Sequence, residues 1–523
     1  MASTHNIDAL SGPPFRHLSI CRLPVEMLLS IANLLENKDL IRLGCTCAKL
    51  RKIMEDVLYR CPDLDPWDWD RKTYSKSAPS KIVPMKDTLE KRPDLARGVQ
   101  ELELGPRKTT VPIELAVMPA LIAQSTPLCG SIEAHICEYF LAGALLHLTP
   151  NLRTLKLILH GTEMGKDKPL QKFFGPKVDD RKTDLSVIPG LRHLTTLHFL
   201  SNTDHHFQTL WATLPALREV QIRGIYTISD ENVSQGPVMV RKLRLDALSP
   251  VLSPRDRRHS GWSTFLRHFS VLEELQVQII PDYRKTNSSE VLGHGLLGSY
   301  STLVNMIGHL RSVLTVLDLR LEHYDPTSFL DFVTPFCPSS LKEFSALKFL
   351  RIPYDGLFAK NATPSPSAQD CLARVLPECL ERLEVLFPLL DIYNHFDRFL
   401  EHPQKTRFAL KDVVYHCSNA RGHPFEQFMY LSDPHPTFQR LRASNIDVQF
   451  HYRKQDRRPG WEEYDKATYA LAKWLANGGN AYEGSIFADQ VDNGGDVDQF
   501  EVVILPEGLG CFDLTPHGSI VRG

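Results

Sequence analysis

The sequence predicts an α/β protein: a small three-helix unit at the N-terminus, then an irregular solenoid of strand-and-helix repeats. Three observations carry this reading. Near the N-terminus Val25, Leu28, Ile31, Ala32 and Leu35 recur at helical spacing, and Met27 and Leu34 widen the stripe. From Val99 to Tyr415 a pattern of the form aliphatic-x-x-aliphatic-x-aliphatic keeps returning. With 523 residues the chain exceeds one ordinary core, so several domains or a repeat array are expected.

Residues 1–17 show no periodicity and are expected to be disordered; the three-helix unit occupies 18–63. Leu23-Pro24 opens its first helix, because proline suits a first-turn position whose N–H has no partner. Glu26 follows where the helix dipole favours a negative charge. Asn37 can cap a second helix through Leu40 and Leu43, and Leu50, Ile53, Met54, Val57 and Leu58 stripe a third that Pro62 ends. So small a core is marginal alone. Yet its first helix is apolar nearly all round, so one of its sides is expected to face a second body.

The run Leu23-Pro24-x-Glu26-x-Leu28-x-x-Ile31, then Asp39-Leu40-x-x-Leu43, then Thr46-Cys47-x-x-Leu50-Arg51 resembles an F-box of the fungal kind. The tryptophan common in the third helix of that family is here Leu50, which still fills an apolar slot. The resemblance implies docking on the Skp adaptor of an SCF ubiquitin ligase, and through it on a cullin scaffold. It assigns adaptor contact to Leu23, Pro24, Glu26, Met27, Leu28, Ile31, Leu34, Leu35, Leu40 and Leu43.

Residues 64–97, with Pro66, Pro79, Pro84 and Pro93 among serines and basic residues, read as a linker. The repeat domain follows over 98–445. Its copies begin Val99-Leu102-Leu104, Leu152-Leu155-Leu157, Leu194-Leu197-Phe199 and Leu217-Val220-Ile222. They continue through Val240-Leu243-Leu245, Leu272-Leu275-Val277, Leu314-Leu317-Leu319, Leu347-Leu350-Ile352 and Leu380-Leu383-Val385, with a fainter copy at Leu410-Val413-Tyr415. A short strand followed by a helical segment, at intervals of 23 to 42 residues from Leu197 onward, resembles a degenerate leucine-rich-repeat solenoid. In each strand the residue between the last two aliphatics points away from the core. That column is Lys156, His198, Gln221, Arg244, Gln276, Asp318, Arg351 and Glu384. Lys156, His198, Gln221, Arg244, Gln276 and Arg351 are its candidate substrate contacts, on a neutral-to-basic concave face suited to acidic or phosphorylated segments.

Residues 446–523 change character. Between Trp474 and Val521 there are eight acidic residues and no lysine or arginine. The segment is expected to cap the open end of the solenoid and to end in an acidic tail. The run from Asp489 to Glu501 looks calcium-like, but Gln490 stands where the first ligand is needed, so a solvated loop is expected.

Composition narrows the function classes. A chain 42% hydrophobic and 23% charged, with net charge −2, has no general pull toward nucleic acid or an anionic membrane. The N-terminus has no signal-peptide pattern, and no run of eighteen apolar residues occurs. Eleven cysteines, an odd number, fit reduced core thiols in cytoplasm or nucleus and no metal site.

Catalytic motifs are weak. Gly293-His294-Gly295-Leu296-Leu297-Gly298 is a literal G-x-G-x-x-G with Asp318 twenty residues on, but no strand runs directly into it. Gly161-x-x-x-Gly165-Lys166 lacks one spacer residue and the hydroxyl of a P-loop. His205-His206 adjoins no acid or nucleophile at motif spacing, and the related stretches Asp256–Trp262 and Asp456–Trp461 read as exposed basic loops. The expectation is a non-enzymatic protein without cofactor: a substrate-recognition subunit of an SCF-type ligase or, alternatively, a leucine-rich-repeat scaffold without ligase output.

Overall fold

The computed structural model describes residues 20–64, 67–68, 73–74, 80–106, 110–112, 135–159, 169–174, 184–228, 238–248, 257–280, 298–321, 333–334, 341–358, 372–386, 388, 392–403, 405–417, 436–453 and 500–503. Three helices open it: α1 (Val25–Ala32), α2 (Asn37–Gly44) and α3 (Ala48–Leu58). They close on a small core of Leu28, Ala32, Leu40, Leu50, Ile53 and Met54, separate from the main one.

The main body is one sheet, thirteen-stranded among the described residues. Its strands are β1 (Asp63–Leu64), β2 (Glu101–Leu104), β3 (Thr154–Leu159), β4 (Thr196–Phe207), β5 (Glu219–Ile228), β6 (Lys242–Leu248) and β7 (Glu274–Ile280). They continue as β8 (Val316–Leu321), β9 (Phe349–Pro353), β10 (Arg382–Leu386), β11 (Asp412–Cys417), β12 (Asp447–Arg453) and β13 (Phe500–Val503). Spatial order follows chain order, and every pair is parallel except β12 with β13. Parallel neighbours need a crossover, and helices such as Glu138–Leu148, Arg257–Arg267 and Ile392–Glu401 lie in these connections.

Each copy of the repeat pattern falls where a strand forms. The middle aliphatics stand side by side across the sheet, from Leu102 beside Leu155 and Leu197 to Leu383 beside Val413 and Val448. The first aliphatic of each copy, three residues earlier, is buried in the same core, from Val99 to Leu410. Each buried aliphatic contributes about 1.5–3 kcal/mol, and no copy could hide its aliphatics without the next. Gly224, at φ 87°, marks the irregularity between β4 and β5: a Cβ there would collide with the carbonyl oxygen of Ser201, so only glycine lets the two strands pass.

Two boundaries differ from the sequence reading. The stretch 64–97, expected to be a linker, contains α4 (Ile82–Lys91) and α5 (Pro93–Gly98). Ile82, Met85, Leu89, Leu95 and Ala96 join the main core. The prolines misled because Pro84 lies in the first turn of α4 and Pro93 opens α5, where a missing N–H costs nothing. The repeat domain also does not stop at residue 445, because β12 extends the sheet in register with β11. The acidic run before Phe500, and the helix expected before Gly478, lie outside the described residues.

The three-helix unit joins the sheet directly. The amides of Gln100 and Glu101 donate to the Arg60 carbonyl at 2.9 and 3.0 Å, and Arg92 on the α4–α5 turn pairs with Glu55 of α3 at 3.4 Å. Among the described residues no helix is long and apolar enough to cross a membrane.

Candidate functional site

Two surfaces carry the residues singled out by sequence. The first is the three-helix unit. Lys49 of α3 donates to the carbonyls of Cys21 and Leu23 at 2.6 and 3.3 Å, pinning the opening turn against α3. Cys47 caps α3: its sulfur accepts from the Leu50 amide at 3.5 Å and lies 3.4 Å from the Cys21 sulfur. These two contacts, the amide first, draw the Cys47 thiol below its ordinary value. Contrary to the expectation of core thiols, Cys45 and Cys61 are exposed.

With its inner stripe committed to packing, the unit still shows much apolar surface. Val25, Met27, Ile41 and Leu34 are exposed, Leu34 at 87%, and Ile20 stands beside them in chain order. Seven large hydrophobic residues are exposed among the described residues, and these five all fall within residues 20–41. Exposed apolar side chains gathered in so short a stretch are of the kind that a partner covers. Of the residues assigned to adaptor contact, Pro24, Glu26, Met27 and Leu34 are exposed, and Leu23, Ile31, Leu35 and Leu43 are half-buried. Leu28 and Leu40 are corrected: both are sealed in the unit's own core and offer nothing to a partner. Ile20, Val25 and Ile41, which the sequence reading did not assign to adaptor contact, are exposed as well. Leu40 and Ile41 are adjacent in sequence, and only the packing of α2 against α3 decides which one turns inward.

The second surface is the polar column of the sheet. Register places Lys156, His198, Gln221, Arg244, Gln276, Asp318, Arg351 and Glu384 in one row, each beside the next on the neighbouring strand. Glu103 precedes the row, and Val414 and Gln449 extend it. The row has two unlike ends. From Glu103 to Gln276 its side chains are half-buried or exposed. Asp318, Glu384 and Val414 are buried.

The expected open basic face is therefore corrected. Lys156 pairs with Glu103 at 2.8 Å, and Arg244 lies 3.9 Å from Glu219. Arg351 bridges two carboxylates: its Nε donates to Glu384 at 2.7 Å and its Nη1 to Asp318 at 3.0 Å. Arg320 donates to Asp318, and Arg382 and His416 donate to Glu384 at 2.8 and 2.7 Å. Burial resists ionisation of Glu384, but the bond from His416 and the charge of Arg351 outweigh it and hold the carboxyl far below its usual range. Burial pushes His416 down against the pull of Glu384, so a neutral imidazole presents its Nε2–H to the carboxylate. These charges neutralise one another across strands, and the Arg351 side chain, 20% exposed, is held among them.

The remaining motifs contribute little. Gly293–Leu297, Gly161–Lys166 and Asp456–Trp461 lie outside the described residues, while Gly298 opens a two-residue strand. Asp318, the acid at dinucleotide-like spacing, belongs to the ion-pair row. His205 and His206 lie in β4. The basic loop expected at Asp256–Trp262 is helical from Arg257, with Trp262 buried. Among the described residues no group of three or more His, Cys, Asp or Glu side chains could hold a metal ion.

A search of curated proteins returns no match. Comparison with known families matches residues 20–65 to the F-box-like family. This span covers α1 to α3 and the first strand of the sheet. The chain thus carries an F-box-like domain, which supports an F-box protein and implies a Skp-type adaptor as its partner.

Proposed function

We propose that the protein is the substrate-recognition subunit of an SCF-type ubiquitin ligase. In this reading the F-box-like domain, of the fungal kind, docks on the Skp adaptor and through it on the cullin scaffold. The parallel sheet, a degenerate leucine-rich-repeat solenoid, holds a target protein. The chain performs no chemistry itself, carries no cofactor, and works in cytoplasm or nucleus. The observation that carries the reading is the exposed apolar cluster Val25, Met27, Leu34 and Ile41, confined to the domain that the family match covers. Buried against a partner, each such side chain contributes about 1.5–3 kcal/mol.

Target binding falls to the open part of the polar row, Lys156, His198, Gln221, Arg244 and Gln276, since Arg351 is held between the buried Asp318 and Glu384. The test is adaptor co-purification with full-length Met27→Asp/Leu34→Asp protein. Both side chains are exposed, so the fold should survive while the complex is lost. An undiminished complex would sink the proposal. Ubiquitination of co-purified partners in a reconstituted ligase separates a receptor from a scaffold without ligase output.

A further inference from the structure

A cavity of about 390 Å³, open to solvent, lies at the strand-start edge of the sheet, lined by the exposed residues Arg97, Gln100, Asn151, Arg153 and His193. These residues come from three successive connections. Arg97 lies in the last turn of α5, Gln100 directly precedes β2, Asn151 and Arg153 precede β3, and His193 precedes β4. The framework beneath them is rigid. The Arg153 amide donates to the Gln100 carbonyl at 2.7 Å, the Thr195 amide to the Arg153 carbonyl at 2.8 Å, and the Asn151 side chain to the Arg97 carbonyl at 2.8 Å.

Several charges elsewhere along the same edge are paired, although among the described residues Arg218 bonds only to the carbonyls of Pro215 and Leu217. Arg241 pairs with Glu273 at 3.0 Å, and Lys348 and Lys411 both pair with Glu381, at 3.3 and 2.9 Å. Among the described residues no carboxylate pairs with Arg97 or Arg153. Two guanidiniums sharing one cavity repel, and an anion between them reverses the sign of that interaction. Guanidinium forks bond oxyanions bidentately, and the amides and the imidazole around them add further N–H groups. A doubly charged, tetrahedral anion matches two cations and these donors better than a carboxylate does. The cavity is open to solvent, so the group that the phosphate esterifies can extend outward from it. We propose that this edge cavity is a binding site for a phosphate monoester, with Arg97 and Arg153 as its charge partners. None of its lining residues belongs to the exposed apolar residues of the F-box-like domain or to the polar row, so it stands or falls independently of them.

The test is calorimetry on the full-length protein, titrated with inorganic phosphate, glucose 6-phosphate and a serine phosphopeptide at ionic strength held constant with sodium chloride. Saturable binding is expected, weakened about tenfold by Arg97→Gln or Arg153→Gln and abolished in the double variant. Arg97→Lys/Arg153→Lys should retain part of it. Arg241→Gln, at a paired position on the same edge, should bind like the parent protein. A phosphopeptide preferred over glucose 6-phosphate supports the site and assigns its ligand to a phosphorylated protein segment; equal binding supports it and assigns a small ester. Adaptor co-purification should be unchanged in every variant, which separates failure here from failure of the ligase reading. No saturable binding of any of the three probes, or undiminished binding by the double glutamine variant, overturns the proposal.

Discussion

The F-box-like domain and the sheet solve the same problem, hiding aliphatic side chains, in opposite ways. In the sheet each strand's aliphatics are covered by those of the next, and one core runs from Leu64 to Val448. The domain has six buried core residues and leaves Val25, Met27, Leu34 and Ile41 outside. A repeat adds covering surface with every copy, whereas three short helices run out of neighbours. The difference separates apolar residues that build a fold from those that await a partner, although both look alike in composition.

The strongest way to break this contrast is to open the continuous core. Leu275→Ala, enclosed between Leu243 and Leu317 on the adjoining strands, should cost about 3–5 kcal/mol, because neighbours fixed on both sides cannot collapse into the cavity. Thermal unfolding would read this as a lowered Tm of the sheet, with a smaller loss pointing to a softer core. Next in size is the Met27→Asp/Leu34→Asp variant. It should lose about a hundredfold in adaptor affinity, near 3 kcal/mol, with Tm of the free protein unchanged, as calorimetry and melting curves would show.

The two ends of the polar row sharpen the contrast within the sheet. Glu384 is 1% exposed and holds Arg351, Arg382 and His416 together, so Glu384→Gln should cost about 2–3 kcal/mol at neutral pH. Its carboxyl titrates lower folded than unfolded, so its stabilisation is full above the ordinary carboxylate range and fades as pH falls from that range toward the much lower folded value. His416, also lowered by the fold, adds a loss that begins as pH falls through the ordinary histidine range. Denaturation followed from pH 8 to pH 2 should therefore show stability declining with acid, and the part of the decline below the ordinary carboxylate range should shrink in Glu384→Gln while the part in the histidine range remains. A pH-independent parent would contradict the assigned charges. The smallest effect is expected at the open end. Lys156→Ala removes a partly exposed pair with Glu103 and should change stability by under about 1 kcal/mol; a larger drop in Tm would mean that the row is closed along its whole length.

Much of the sheet was legible before any coordinates. The repeat spacing located the strands from β2 to β11 and the polar column, because a strand's side chains alternate and parallel neighbours in register bring equivalent positions together. The three helices of the N-terminal unit were legible from their stripes for a similar reason. The helices at Ile82–Lys91 and Pro93–Gly98 were not, since a proline signals a linker and a helix start with the same letter.

The sequence by itself determined which positions are aliphatic, how they repeat, and hence that strands and helices alternate behind a three-helix unit. Periodicity is local, and local backbone geometry translates it directly. Only the tertiary structure decided which apolar residues remain outside, that Leu40 turns inward while Ile41 does not, and that Arg351 is held between Asp318 and Glu384. It alone also gathered Arg97, Arg153 and His193 around one cavity. Those outcomes depend on partners 33 to 54 residues apart in the chain, as in the Arg351 bonds to Asp318 and Glu384 and the Asn151 bond to Arg97. Burial and charge pairing are set by what packs against a residue, and no periodic pattern encodes the identity of a distant neighbour.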